Sequence, residues 1–217
     1  MTQPLAIDRF CGLGGWTSGL LAEGYFVVGF DIEQHVYGEH RYPGHLVIQD
    51  VLTLHGSQFN DAALIVASPP CQKYSYMAMP WTRSKAMAAA IRADTTGSEI
   101  ARLNELFNAC FRIQREACEA AGRHIPLIVE NVRGAIPWVG RSRCRVGPFY
   151  FWGDVPLLMP TGCPRKQSGD PSWFFDNYAQ SARRFSSQSK ERKQWSAQIA
   201  KIPIEISTWI ARCFKPI

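Results

Sequence analysis

The sequence of 217 residues predicts an α/β protein: a doubly wound, mostly parallel sheet with a small irregular basic C-terminal lobe. Three observations predict it. Short apolar runs at 4–10, 25–30, 46–48, 62–66 and 126–129 alternate with helix-patterned or mixed segments. Each run closes on a glycine-rich turn, a proline pair or an acid, the places where open α/β sheets bind ligands. Beyond residue 133 the text changes to Gly, Pro, Trp and Arg with only short strand-like pieces.

Taken in order, residues 4–10 read as a strand that runs into Cys11-Gly12-Leu13-Gly14-Gly15 and then a helix over 16–22, stopped by Gly24. Residues 25–30 form a second strand closing on Asp31. A mixed segment leads to Gly44, a third strand at 46–48 and Asp50. The fourth strand, 62–66, delivers the loop Ala67-Ser68-Pro69-Pro70-Cys71-Gln72-Lys73-Tyr74-Ser75. Two prolines in a row leave that loop few alternative shapes. Residues 76–96 read as a mobile lid. Apolar residues at 100, 103, 106, 107, 110 and 111 give a helical spacing over 99–121, stopped by Gly122. A fifth strand, 126–129, ends on Glu130-Asn131-Val132, a short strand is expected at 148–152, and 161–190 reads as loop. A last helix is expected over 204–214, with Pro203 near its first turn. These readings divide the chain into a catalytic, cofactor-binding domain at 1–140, a reduced basic recognition lobe at 141–195 and a C-terminal helix at 196–217.

Composition excludes several classes. No apolar run approaches the roughly 20 residues of a membrane span, and the first residues lack the pattern of a signal peptide, so an intracellular, cytoplasmic protein is expected. Seven cysteines without a C-x-x-C pair and five scattered histidines argue against a disulfide framework and against a metal site. The net charge is +6, and its whole excess is local: residues 1–159 hold 14 Lys+Arg and 14 Asp+Glu, whereas 160–217 hold 10 and 4. That is either a solvated basic surface or an electrostatic footprint for a polyanion.

Strand, glycine-rich turn, helix, then an acid ending the next strand is how such sheets hold a nucleoside-containing cofactor. The run Gly12-Leu13-Gly14-Gly15 is not the dinucleotide spacing; it suits close approach of an uncharged or zwitterionic tail to backbone amides. Asp31 is then placed for ribose hydroxyls and Asp50 for an adenine amino group. Singly, the turn can be just a turn, and each acid a cap or surface charge. Cys71 and Glu130 form a second pair at the same sheet edge. A thiolate adding to C6 of a pyrimidine makes C5 nucleophilic, and a buried carboxyl of raised pKa can protonate N3 while reading the exocyclic amine. Alone, Cys71 reads as a small buried hydrophobe, and Glu130 as a turn cap or a partner of Arg133.

Together these motifs resemble the cytosine-C5 DNA methyltransferases. Residues 8–15 match the family's D-x-F-C-G-x-G-G, Asp31 its ribose-binding acid, Asp50 the acid of its G-D-x segment, 67–75 its G-G-P-P-C-Q-x-F-S, and 130–132 its E-N-V. The resemblance implies a Rossmann-like fold and S-adenosylmethionine as cofactor. It places cofactor contacts at Asp8, Phe10, Cys11, Gly12, Leu13, Gly14, Gly15, Asp31, Ile32, Asp50, Val51 and Pro69. It makes Cys71 the nucleophile and Glu130 the acid, and it implies double-stranded, cytosine-containing DNA as partner, with the target base flipped out of the helix.

Past residue 135 the match loosens. Arg141-Ser142-Arg143-Cys144-Arg145 stands where the family has Q-x-R-x-R, making Arg143 or Arg145 the candidate for the cytosine O2; a plain basic loop is the alternative. The closing Q-x-G-N-x-V has only 198–203 to offer, without its Gly and Asn. About 40 residues separate Arg145 from Arg183-Arg184, too few for a full target-recognition domain. The expected nucleic-acid contacts are Gln72 and Ser75 on the loop, with Arg165, Lys166, Arg183, Arg184, Lys190, Arg192 and Lys193 in the basic lobe. Trp173, Phe174, Phe175 and Tyr178 are interleaved there and either stack on DNA or pack the lobe. Short or relaxed specificity is therefore expected, with room for a specificity partner protein. The rival readings are a free cytidine nucleotide or RNA substrate, and a non-catalytic nucleic-acid-binding protein.

Overall fold

A computed structural model describes residues 2–75, 81–158, 185–186 and 189–216. The apolar runs form strands β1 (Leu5–Arg9), β2 (Phe26–Asp31), β5 (His45–Ile48), β6 (Ala62–Ala67) and β7 (Leu127–Asn131). They lie parallel in the order β5-β2-β1-β6-β7, and the hairpin of β9 (Phe149–Gly153) and β8 (Cys144–Val146) extends the sheet antiparallel beyond β7. Between β1 and β6 the chain order reverses, which opens a crevice at the strands' carboxyl ends. The glycine-rich turn and the Pro-Pro-Cys loop flank that crevice.

Both faces of the sheet are covered, so its central strands read as unbroken apolar runs and not as an alternation. On one face Ile7, Ile65, Leu127 and Val129 pack against Phe107, Cys110, Ile113 and Ala117 of α3 (Ser98–Ala121). On the other, Ala6, Leu64, Val66 and Ile128 meet Trp16 and Leu20 of α1 (Gly15–Ala22) with Ile206 and Ile210 of α6 (Ile204–Phe214). Gly122, in the left-handed region at φ 64°, ends α3 where it was expected to.

Four differences from the sequence reading have local causes. Residues 36–41, read only as mixed, form a small hairpin of β3 (Val36–Tyr37) and β4 (His40–Arg41). Within the expected lid, Trp81–Ala93 is a helix, α2, as its Ala-rich stretch favours; 76–80 lie outside the described residues. Lys190–Ile199 is also helical, α5, started by Ser189, whose hydroxyl accepts the Arg192 amide at 3.1 Å. Finally, β8 and β9 belong to the central sheet, so the boundary drawn at residue 140 falls inside it. The short helix α4 (Ile136–Val139) leads into them. Arg165, Lys166, Trp173, Phe174, Phe175, Tyr178, Arg183 and Arg184 lie outside the described residues.

Candidate active site

The turn after β1 is shaped by backbone in the left-handed region: Phe10 at φ 57°, Gly12 at 51° and Gly14 at 73°. Phe10 pays for that conformation with a strain that persists where surrounding structure imposes it, commonly at binding sites. The glycines have different reasons for being glycine. A Cβ on Gly14 would run into Pro43, and one on Gly15 into the backbone of Ile202, so these two serve the protein's own packing. A Cβ on Gly12 would meet nothing, and its bare backbone faces open space. Leu13 and Cys11 are buried.

Asp31, ending β2, accepts the Gly12 amide at 2.9 Å and the Ile32 amide at 2.8 Å. Burial opposes its charge, but the His35 hydrogen bond and the Gly12 and Glu33 amides prevail and hold its carboxyl below the ordinary range. His35 is raised in turn, first through its bond to Asp31. Ile32 beside it is 69% exposed. Asp50 starts a 3-10 turn, Val51–Thr53, by accepting the Leu52 amide at 2.9 Å; Val51 is buried beneath it.

Asp8 departs from the expectation of a cofactor contact. It lies within β1, fully buried, and its Oδ2 accepts the Thr17 hydroxyl, which is itself 2.7 Å from the Tyr42 hydroxyl. Its Oδ1 has no partner, and burial pushes the carboxyl up to about 7. Phe10, Gly12, Ile32 and Asp50 leave a surface for a ligand, whereas Asp31 is nearly covered at 9% exposure.

The second group lies across the crevice. β6 and β7 are adjacent and in register, Ala67 opposite Val129, so the loop after β6 starts beside Glu130. Two bonds fix that loop. Asn131 Nδ2 donates to the Pro69 carbonyl at 2.9 Å, and the Tyr74 hydroxyl, 2.9 Å from Asn104 Oδ1, ties it to α3. The Cys71 carbonyl accepts the amides of Tyr74 and Ser75, closing a turn that leaves Cys71 partly exposed and Gln72 exposed. Glu130 is 8% exposed; burial lifts its carboxyl to about 7 against a lowering hydrogen bond from Ser68. Burial and the nearby Glu130 charge together push the Cys71 thiol up to about 11.

The structure does not bring Arg143 and Arg145 into this group. In register, Glu130 pairs with Phe151 and Phe151 with Cys144, so the two arginines fall two strands away on the opposite face. Arg145 turns back on its hairpin, donating Nε to the Gly147 carbonyl at 2.9 Å and lying over the Tyr150 ring. Lys190 and Lys193 on α5 are exposed, but Lys193 lies near enough to His35, the partner of Asp31, to oppose its protonation. The segment expected in place of the family's closing motif does reach the glycine-rich turn. Gln198 and Lys201 line a cavity of about 220 Å³ with Leu13 and the β3–β4 hairpin.

Sequence reasoning passed over Ser68, Trp16, Asn131 and Tyr74. Each sits inside or beside a motif, but a supporting hydrogen bond between distant segments leaves no spacing signal. Among the described residues, no group of three His, Cys, Asp or Glu side chains is placed to hold a metal, and no helix is long and apolar enough to cross a membrane.

A mostly parallel sheet with this reversal, a glycine-rich turn and a strand-end acid is a Rossmann-like architecture. Residues 6–106, a little under half of the chain, match the family model for C-5 cytosine-specific DNA methylases. No curated protein matches the chain. Among solved structures it is similar to a protein assigned as a DNA modification methyltransferase from an E. coli prophage, at 24% identity and a TM-score of 0.39. That match covers 62% of this chain and 33% of the other. It is also similar to the S. pombe Dnmt2 methyltransferase, at 15% identity and TM-score 0.39, over 64% of this chain and 37% of the other. The Entamoeba histolytica methyltransferase EhMeth matches at 16% and 0.39, over 64% and 41%. The chain thus spans between a third and about two fifths of the length of these proteins.

Proposed function

We propose that the protein is an S-adenosylmethionine-dependent methyltransferase that modifies C5 of cytosine in DNA, with Cys71 as nucleophile and Glu130 as acid. The observation that carries this reading is their joint delivery. A conformationally stiff loop after β6 and the last residues of the adjacent β7 put a thiol and a neutral-range carboxyl at one end of the sheet, pinned together by the Asn131–Pro69 bond.

The residues around the first turn fit the cofactor. Gly12 offers an open backbone face, Asp31 a carboxylate of lowered pKa for ribose hydroxyls, and Ile32 and Phe10 apolar surface for an adenine. When bound, S-adenosylmethionine supplies an electrophilic sulfonium methyl group. Cys71 forms the S–C6 bond as thiolate while Glu130 gives its proton to N3, which leaves C5 electron-rich. Neutral Glu130 also removes the charge that opposes ionisation of Cys71, so one proton serves both events. After the methyl group is on C5, loss of the C5 proton, return of the N3 proton to Glu130 and breakage of the S–C6 bond restore the thiolate, the neutral acid and the ring double bonds.

On duplex DNA the cytosine must leave the base stack. The chain's basic C-terminal region supports a polyanionic partner through phosphate contacts, with short or relaxed specificity. Methyl incorporation into duplex DNA, single-stranded DNA, RNA and a cytidine nucleotide, with wild type and Cys71→Ala, tests the reading. Cys71-dependent transfer to DNA is expected. Transfer only to RNA or nucleotide overturns the substrate, and transfer that survives Cys71→Ala overturns the mechanism.

A further inference from the structure

We propose that Trp16 and Ser68 position the Glu130 carboxyl, holding one of its oxygens so that the acidic proton is carried on the other, the one that faces the base. This inference rests on the reading that Glu130 is the acid of the reaction.

The register between β6 and β7 runs Ile65 to Leu127, Val66 to Ile128 and Ala67 to Val129, so the next rung sets Ser68 beside Glu130. Parallel partners on one rung point to the same face. That face is the one covered by α1, where Trp16 packs edge-on against Phe151, the residue opposite Glu130 on β9. From there the Trp16 indole Nε1–H donates to Ser68 Oγ at 3.0 Å. An indole nitrogen is only ever a donor, so Ser68 must accept from it. The Ser68 hydrogen is then left for another acceptor, and Glu130, beside it on the next rung and on the same face, is the carboxyl whose charged form Ser68 favours.

The consequence concerns where the proton sits on a carboxylic acid with two oxygens. The oxygen that accepts from Ser68 faces a hydroxyl hydrogen and is a poor place for a second one. The proton is left to the other oxygen. A carboxyl that can rotate or hold its proton on either oxygen would present a donor to N3 only part of the time, so the fixed chain makes Glu130 a ready acid. The sequence is unusual at the same point: Ser68 stands where the resembling G-G-P-P-C pattern has its second glycine, which has no side chain to make this bond.

Ser68 is thus a positioning residue, and its effect is separable from folding. Carbon-13 NMR of glutamate-labelled protein, with the Glu130 signal assigned by its loss in Glu130→Gln, reads the titration of that carboxyl directly. In Ser68→Ala and Ser68→Gly the midpoint is expected to move up by roughly one pH unit, because a hydrogen bond to the charged form is lost. In Ser68→Thr, which keeps the hydroxyl, it is expected to stay. The alkaline limb of methyl transfer, which requires the protonated acid, shifts by the same amount in the same variants. An unmoved Glu130 midpoint in either folded hydroxyl-free variant overturns the proposal, as does Ser68→Thr behaving like Ser68→Ala. The titration needs no turnover, so a wild type that transfers no methyl group removes the assigned reaction and leaves the carboxyl's positioning to be judged by the NMR alone.

Discussion

The Asp31 carboxylate accepts the amide of Gly12 at 2.9 Å, so the acid ending β2 also closes the turn that follows the neighbouring β1. Removing it should therefore cost twice. Asp31→Ala is expected to weaken S-adenosylmethionine binding at least about tenfold, or roughly 1.4 kcal/mol, by calorimetry. It should also lower stability. Asp31 has a depressed pKa, so its contribution is present above the unfolded value near 3.9 and is lost as pH falls through the lower folded value. Thermal melts of wild type and variant should thus differ at pH 6 and converge at low pH; a constant gap would refute the charge as the cause.

Cys71 is predicted to be a reluctant thiol in the free protein. With burial and Glu130 pushing it up to about 11, only about one molecule in ten thousand carries the thiolate at pH 7. Its alkylation by iodoacetamide, followed by peptide mass spectrometry, should speed up about tenfold per pH unit through the neutral range. Glu130→Gln removes the opposing charge and should raise the rate at pH 8. Equal rates in the two proteins would show that the pair is not coupled.

How far the sequence alone reaches is visible in particular elements. The α6 bounds and the parallel strands were readable because burial on two faces writes long apolar runs, and because Gly24, Gly122 and Pro203 punctuate them. Cys71, Glu130 and Asp31 were readable because loops at strand ends carry ordered motifs. Helix α2 was not, since Ala-rich helices with only Ser84 and Ile91 buried show weak periodicity. Asp8 was misplaced for a different reason: a motif records that an acid is present but not whether it faces ligand or Thr17. Arg143 and Arg145 matched in spacing, yet the β8–β9 hairpin turns them to the other face.

Glu130 should destabilise the folded protein at alkaline pH. Its folded pKa of about 7 lies above the unfolded value near 4.3, so protonation stabilises below the unfolded value and that stability is lost as pH rises through 7. Glu130→Gln, always neutral, is expected to be more stable than wild type by an amount on the order of 1–3 kcal/mol at pH 8 and nearly equal at pH 4. Urea unfolding at the two pH values measures this, and a gain of the same size at both would attribute the effect to packing.

Arg9 is fully buried in β1, donates Nη1 to the Cys110 carbonyl at 3.1 Å, and leaves Nε and Nη2 without a partner. Burial pulls its pKa down. A buried cation with incomplete pairing is often replaced by an apolar side chain of similar volume at no loss or with a gain of about 1–4 kcal/mol. Arg9→Met is expected to raise the melting temperature, and a lower one would show that the guanidinium contributes more than its single bond suggests.

The glycine-rich turn also depends on the end of the chain, through Gly19. A Cβ there would run into Ser207 and the backbone of Thr208, so α1 and α6 touch with no side chain between them. The Tyr25 hydroxyl, donating to the Ala211 carbonyl at 2.9 Å, holds the same helix against the sheet. In an isolated helix Gly→Ala would stabilise by about 1 kcal/mol. Here the added methyl must push α6 away, and overpacking of this kind costs about 1–3 kcal/mol. Gly19→Ala is therefore expected to lower the urea midpoint, and because α1 grows directly from the turn at Gly14 and Gly15, to weaken cofactor binding with it. The sign is decisive, since a raised midpoint would mean that the two helices do not meet as closely as this packing requires.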